Sequence, residues 1–150
     1  MSKHKSNPET LIMHDIIDWL NYQPWCLAKR VNPGARYDPK VKRWIKPKAQ
    51  YSPPGIVDID GVLAPDGKTL FIEVKTPKEY QYVIKHYDRI KTGIWDKKDK
   101  RRILQNQIIF MEERVKLGAI AFFSDSIQRT QNLLIAEGFG ASRDSSQIDQ

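Results

Sequence analysis

Residues 55–77 read GIVDIDGVLAPDGKTLFIEVKTP, and they place charges where a strand should bury aliphatics. Asp58, Asp60 and Glu73 each stand among Ile, Val, Leu and Phe, and Lys75 follows Glu73 by two positions. Charged groups on a half-buried strand are costly unless something pairs with them. Side chains two apart on a strand share a face, about 7 Å apart at roughly 3.3 Å per residue. Glu73 and Lys75 therefore point the same way as Phe71, while Leu70, Ile72 and Val74 point into the core. Folding the hairpin about Asp66 sets Ala64 against Lys68 and Asp58 against Val74. A one-residue bulge at Gly67 moves that partner to Glu73 or Lys75. The same count brings Asp60 near Phe71–Glu73, so geometry alone leaves both aspartates open.

Two carboxylates that converge on one point repel unless a cation neutralises them. Oxygen ligands of this kind suit Mg²⁺, which keeps several waters and binds substrate phosphate. A metal activates water and stabilises charge developing on phosphorus, and a nearby lysine positions or deprotonates that water. These ingredients fit hydrolysis of a phosphodiester. The same spacing also fits a surface hairpin with a Glu–Lys pair on its solvent face, an arrangement worth little. Other chemistries find no support. Cys26 is the single cysteine, which excludes an internal disulfide and a cysteine-rich zinc site, and it reads as a small semi-buried thiol. The histidines His4, His14 and His86 form no ligand-spaced pair, and there is no phosphate-binding glycine loop.

The elements that must position these residues follow from capping and periodicity. Asn7 caps a first helix, Pro8 suits its first position, and Ile12, Met13, Ile16, Ile17 and Leu20 form its apolar stripe, with an end near Asn21. Glu9 extends that stripe by one turn and so faces inward, although a carboxylate at a helix N-terminus also favours the helix dipole. Strands are expected over Trp25–Val31 and Val41–Lys46, around the turn NPGARYDP. YSPPG at 51–55 breaks the chain. Strands Ile56–Leu63 and Thr69–Thr76 then flank the turn APDGK. Segment 77–102 is polar and basic with partial helical periodicity, interrupted at Gly93 and closed by DKKDKRR as a charged loop. A helix over 102–117 carries Gln107 among Ile103, Leu104, Ile108 and Met111, and Gly118 stops it. Ala119–Phe123 is a buried strand, Ser126 starts a last helix over 127–136, and residues 137–150 read as a flexible tail.

The chain of 150 residues, Met1–Gln150, is read as one domain, with no internal repeat. Its order of elements predicts an α/β fold with a small mixed sheet flanked by helices. The longest apolar run is too short to span a bilayer, and the polar N-terminus lacks the apolar stretch of a secretory signal, so a cytoplasmic, intracellular protein with no membrane partner is expected.

The net charge of +7 is unevenly spread. Residues 25–52 hold eight Lys or Arg against Asp38 alone, and residues 76–102 hold nine against four acids. Both segments flank the acidic stretch, and the first interleaves Trp25, Tyr37, Trp44 and Tyr51. Basic segments of this kind bind polyanions by releasing condensed counterions, and aromatics add stacking surface. The candidate nucleic-acid contacts are Lys29, Arg30, Arg36, Lys42 and Arg43 in the first segment and Lys97, Lys98, Lys100, Arg101 and Arg102 in the second.

The ordered set of pieces resembles the PD-(D/E)XK nuclease signature, and in detail its VRR-NUC branch. The matching residues are Glu9 opening the first helix, Gly55-Ile56-Val57-Asp58, Glu73-Val74-Lys75, Gln107 leading a helix with Phe110, then Gly118 and Ser126, between about residues 8 and 135. Two departures stand out. The usual proline before the aspartate is Val57 here, and the connection from Lys75 to Gln107 is longer than the family's. The resemblance implies a restriction-endonuclease-like core and selects Asp58 over Asp60. It implies metal ligation by Glu9, Asp58, Glu73 and the main-chain carbonyl of Val74, with Mg²⁺ as cofactor and Mn²⁺ able to substitute. It assigns Lys75 to the reacting water and Gln107 to a supporting or substrate contact. Members of this branch include stand-alone, often phage-encoded, nucleases that act as homodimers on branched DNA such as Holliday junctions. The expected activity is thus a metal-dependent DNA endonuclease selective for DNA structure. A non-catalytic nucleic-acid-binding module of the same fold and a sequence-specific restriction-like nuclease are the alternatives.

Overall fold

The structure is a computed structural model and describes residues 7–31, 36–45 and 57–140. The turn expected at Pro33–Gly34, the break at 51–55, Gly55-Ile56 and residues 141–150 lie outside the described residues, as do the side chains of Arg36, Tyr37 and Trp44.

The first helix, α1 (Pro8–Tyr22), starts where its signals place it, with the Asn7 side chain accepting the Glu9 N–H at 3.1 Å. Met13, Ile16 and Leu20 are its buried residues. Strand β1 (Cys26–Arg30) follows, and Asn21 at the end of α1 bonds both backbone groups of Ala28, accepting its N–H at 2.7 Å and donating to its carbonyl at 2.9 Å. That side chain covers part of the outer edge of β1, which would otherwise be an open pairing template. Next come β2 (Arg36–Asp38), β3 (Arg43–Ile45), β4 (Ile59–Leu63) and β5 (Lys68–Val74). Helices α2 (Pro77–Lys85), α3 (Tyr87–Thr92) and α4 (Lys100–Lys116) lead to β6 (Ile120–Ser124) and α5 (Ile127–Ala136). The fold is mixed α/β. A four-stranded sheet in the order β1-β4-β5-β6 is antiparallel except for the parallel pair β5–β6, and β2 and β3 form a separate ribbon.

Strand β5 is covered on both faces. Leu70, Ile72 and Val74 pack with Met13, Ile16 and Leu20 of α1 and Leu134 of α5. Phe71, on the other face, meets Phe110 of α4 edge-on at 5.5 Å, in a cluster with Val83, Ile90, Ile108 and Met111. The face that alternation leaves to solvent is therefore roofed by α2, α3 and α4.

Four expectations change. Strand β1 does not pair with β3; it pairs with β4, Lys29 opposite Asp60, and the stretch read as a turn contributes β2. The hairpin closes with Leu63 opposite Lys68, so its register is one residue away from the Ala64–Lys68 count. Its turn spans four residues, with Gly67 at φ 74°, a backbone conformation that favours glycine. Helix α4 begins at Lys100 because Asp99 caps it, so the end of DKKDKRR is helical and not loop. The segment after α5 is not free throughout: Phe139 packs on the core against Trp25, ring centres 6.0 Å apart. No helix among the described residues is long and apolar enough to cross a membrane.

Candidate active site at the end of the central strand

The expected site residues gather where β5 ends. Val57 and Asp58 precede β4, so Asp58 sits at a bend and not within the strand. Its carboxylate Oδ2 accepts the Val74 N–H at 2.8 Å, and its carbonyl accepts the Val31 N–H at 2.8 Å. Continuing the observed register by one step sets Asp58 against Glu73. Asp60 stands one pleat back on the same face, opposite Phe71 and Lys29. Geometry thus brings Asp58, not Asp60, to the end of β5.

Glu73 and Lys75 are not on a solvent face. Glu73 is 4% exposed and Lys75 6%, with Nζ of Lys75 3.7 Å from Glu73 Oε1. Strand pairing ends at Lys75, whose N–H donates to Ser124 of β6 at 2.9 Å. Thr76 then caps α2 by accepting the Glu79 N–H at 3.3 Å, and its hydroxyl lies 3.2 Å from the Glu79 carboxylate. This reciprocal cap starts a helix directly after Lys75 and so holds the lysine at a strand-to-helix corner. From the roofing layer Gln107, 8% exposed, donates Nε2 to Glu73 Oε1 at 2.7 Å.

The electrostatics of this corner are strained. Burial first, then the Asp58 carboxylate, push Glu73 up to about 9 from its ordinary 4.5, against the pull of Lys75. Two carboxylates that repel in this way are relieved by a proton or a cation. Glu9 is raised as well, by burial first and then by Glu79, with Lys75 opposing and Asp58 adding to the rise. A helix N-terminus would lower a carboxylate instead. At Glu9 burial is thus the largest cause, and the neighbouring charges follow.

Among the described residues, two buried side-chain oxygens or nitrogens lack a hydrogen-bond partner: Glu73 Oε2 and Gln107 Oε1. Both belong to this one corner. Oxygens left bare beside a carboxylate pair form the donor set that a hard divalent cation takes. No three His, Cys, Asp or Glu side chains among the described residues are converged as a metal-holding group, and the Asp58 charge acts on Glu73 more strongly than that of Glu9. Val74 contributes its N–H to Asp58 and its side chain to the core.

Lys75 opens into a cleft of about 750 Å³ lined also by Lys78, Glu79, Tyr82, Lys100 and Arg101. Two of the expected nucleic-acid contacts, Lys100 and Arg101, line this cleft. Lys97, Lys98, Lys100 and Arg102 are exposed. Arg101 is committed locally. It donates to both oxygens of Asp99 at 3.0 and 2.7 Å and stacks 3.8 Å from the Trp95 ring centre. That pairing lowers Asp99 to about 2. Arg101 therefore acts in the loop's architecture, whereas its neighbours remain available to phosphate. Lys29 and Arg30 are exposed on β1, two strands away from β5, and Lys42 and Arg43 are exposed at the β2–β3 turn. These four do not line the Lys75 cleft. Glu79 is a site neighbour that motif spacing around Asp58, Glu73 and Lys75 does not reach; the signal that could have found it is the T-x-x-E spacing of Thr76 and Glu79.

No protein-family model matches the chain, and neither does a curated protein or a solved structure.

Proposed function

We propose that the chain is a divalent-metal-dependent endonuclease with a restriction-endonuclease-like core. It would hydrolyse phosphodiester bonds in DNA, with a preference for branched DNA such as four-way junctions. The observation that carries this reading is the pair of bare buried oxygens, Glu73 Oε2 and Gln107 Oε1, beside Asp58 and next to Lys75. A buried acceptor without a partner costs on the order of 1–3 kcal/mol, more when charged, and a cation in this place would offset that cost.

Asp58, Glu73 and the main-chain carbonyl of Val74 would hold Mg²⁺ or Mn²⁺, with Glu9 reaching the ion directly or through water. When bound, the ion supplies Lewis-acid activation of water and neutralises charge at phosphorus. The chain's own groups do the rest. The Val74 N–H fixes the Asp58 carboxylate, and the Gln107 amide fixes one oxygen of Glu73. The Lys75 stem is buried, so its amine is held at the cleft wall, where it can position the attacking water, take its proton or neutralise a non-bridging phosphate oxygen. The preference for branched DNA and the action as a homodimer rest on the resemblance to VRR-NUC nucleases. Two copies facing opposite strands would cut a junction in a balanced way.

The test is cleavage of supercoiled plasmid, linear duplex and a synthetic four-way junction in Mg²⁺, Mn²⁺ and EDTA. The expected result is junction cutting with either metal and none in EDTA. Tight binding without cutting in either metal would make the chain a non-catalytic DNA-binding module. Discrete cuts at one sequence in linear duplex would make it a restriction-like enzyme.

A further inference from the structure

Ile94 is 101% exposed, the largest value among the large hydrophobic residues described. An exposed aliphatic is ordinary in a loose loop. This loop is not loose. The Trp95 indole donates to the Ile90 carbonyl at 2.8 Å, and Arg102 donates to the Trp95 carbonyl at 3.1 Å. Gln105 donates to the carbonyls of Lys91 and Gly93 at 2.9 and 2.8 Å, both just before Ile94. Trp95 is gripped from two directions. Arg101 stacks on its ring, and a Cβ at Gly93 would overlap it, so glycine there lets the ring lie down. The side chains of Trp95, Arg101 and Gln105 are thus spent on holding one short turn rigid, and Arg102 lends it one guanidinium N–H. The residue that the turn displays is an isoleucine with no cover.

We infer that Ile94 is a wedge that inserts between bases of the DNA at an unstacked step, such as a branch point, and so sets the substrate in the Lys75 cleft. Rigid presentation matters because an ordered, β-branched side chain loses little freedom on insertion. Apolar side chains that enter base steps in this way include Ile and Leu, and insertion is cheapest where the bases are already unstacked. The surroundings favour nucleic acid over an apolar protein partner. Lys97, Lys98 and Arg102 are exposed within eight residues of Ile94. Arg101, stacked on the neighbouring Trp95, is itself a wall of the cleft that begins at Lys75. Arg101 thus joins the turn that carries Ile94 to the cleft that holds Lys75. This inference rests on the nuclease reading and adds to it the feature of the substrate that is recognised: a disrupted stack, not a base sequence.

The test uses the full chain carrying Lys75→Ala, in Mg²⁺, with a four-way junction that holds 2-aminopurine at the branch. The fluorescence of this base rises when it unstacks. Binding should raise it, and Ile94→Ala should remove most of the rise, while Ile94→Leu should retain it. Preference for junction over duplex should fall roughly tenfold in Ile94→Ala, the order of one stacking interaction. The salt dependence of binding should not change, because every phosphate-facing cation is still in place. Melting temperature should also be unchanged, since the side chain touches nothing in the fold. A fluorescence rise equal in Ile94→Ala and its parent overturns the wedge. So does a switch of oligomeric state on Ile94→Ala with the fluorescence rise intact, which would assign the side chain to an interface between copies. Failure of the nuclease reading gives a different pattern: no metal-dependent cleavage by the unsubstituted chain on any DNA, whatever the fluorescence does.

Discussion

Glu73→Gln should make the metal-free chain more stable and inactive. The carboxyl is pushed from 4.5 to about 9 by burial and by Asp58. A carboxyl whose folded value lies above its unfolded value keeps its proton longer in the native state. Native stability is then greatest below about 4.5 and falls as pH rises towards about 9, by ~1.36 kcal/mol per pH unit. At pH 7.5, about three units above the ordinary value, the penalty is about 4 kcal/mol. Glutamine does not titrate and so escapes it. Its amide can keep the bond from Gln107 Nε2 and offer an N–H to Asp58 or to the bare Gln107 Oε1. At this pH the folded Glu73 is protonated, so Lys75, 3.7 Å away, loses no anion. The net gain is up to about 4 kcal/mol at pH 7.5, or roughly 8–16 °C in Tm for a chain of this length, and under about 1 kcal/mol at pH 5. Melting curves of both proteins in EDTA at pH 5, 6.5 and 8 measure this directly. Mg²⁺ should raise the Tm of the unsubstituted chain and not that of the variant, narrowing the gap. A gap that stays constant between pH 5 and 8, or a variant less stable throughout, would refute a carboxyl held in a dry, anionic corner.

The remaining predictions concern the other charges. Lys75→Ala should abolish cleavage while leaving junction affinity within about tenfold, measured by gel shift beside the cleavage assay; a variant that cuts at near the original rate removes lysine from the mechanism. Glu9→Gln should lower Mg²⁺ affinity by calorimetry and slow cleavage by orders of magnitude, with partial recovery at high Mn²⁺; a loss of only up to about 1 kcal/mol in stability, with metal affinity intact, would reduce Glu9 to a helix-end charge. Neutralising Lys97, Lys98, Lys100 and Arg102 should flatten the plot of log affinity against log salt by about 0.9 for each phosphate that is no longer neutralised. Arg101→Ala should instead release Trp95 and lower stability, because its guanidinium is committed to Asp99 and Trp95.

What the sequence reveals is what is local. The start of α1 is written in Asn7-Pro8, and its inward face in the spacing of Met13, Ile16 and Leu20. The hairpin turn is equally plain, yet its register is not, because three- and four-residue turns around Gly67 leave the same residues in the loop and differ by one step of pairing. The partner of β1 is not legible at all. Residues 41–46 are nearer in sequence, but β4 offers Ile59 and Leu63 to the face where Ala28 is buried, and burial of that face decides the pairing. Asp99 is hidden as a cap because it sits in a run of charges, where Lys and Arg draw the eye to solvent. The burial of Glu73 and Lys75 is hidden for a similar reason: alternation on β5 predicts one dry face, and the second is dried by α4, about thirty residues further along the chain.

Burial of these polar groups is also what makes this corner the candidate site. Glu73 and Gln107 cost stability where they stand, for each leaves a buried oxygen without a partner and the Glu73 carboxyl is raised. Local rules are obeyed around them: Thr76 caps, Pro77 opens α2, and Phe71 packs on Phe110. The conflict between burial and charge is confined to the end of β5, where α1, α2 and α4 all arrive. A fold with a merely poor core would scatter its unsatisfied groups. Here both of those found among the described residues share one hydrogen-bonded pair, Glu73 with Gln107. Local consistency broken at one point, with the break made of oxygen donors beside a lysine, is the pattern that a binding demand leaves in a sequence.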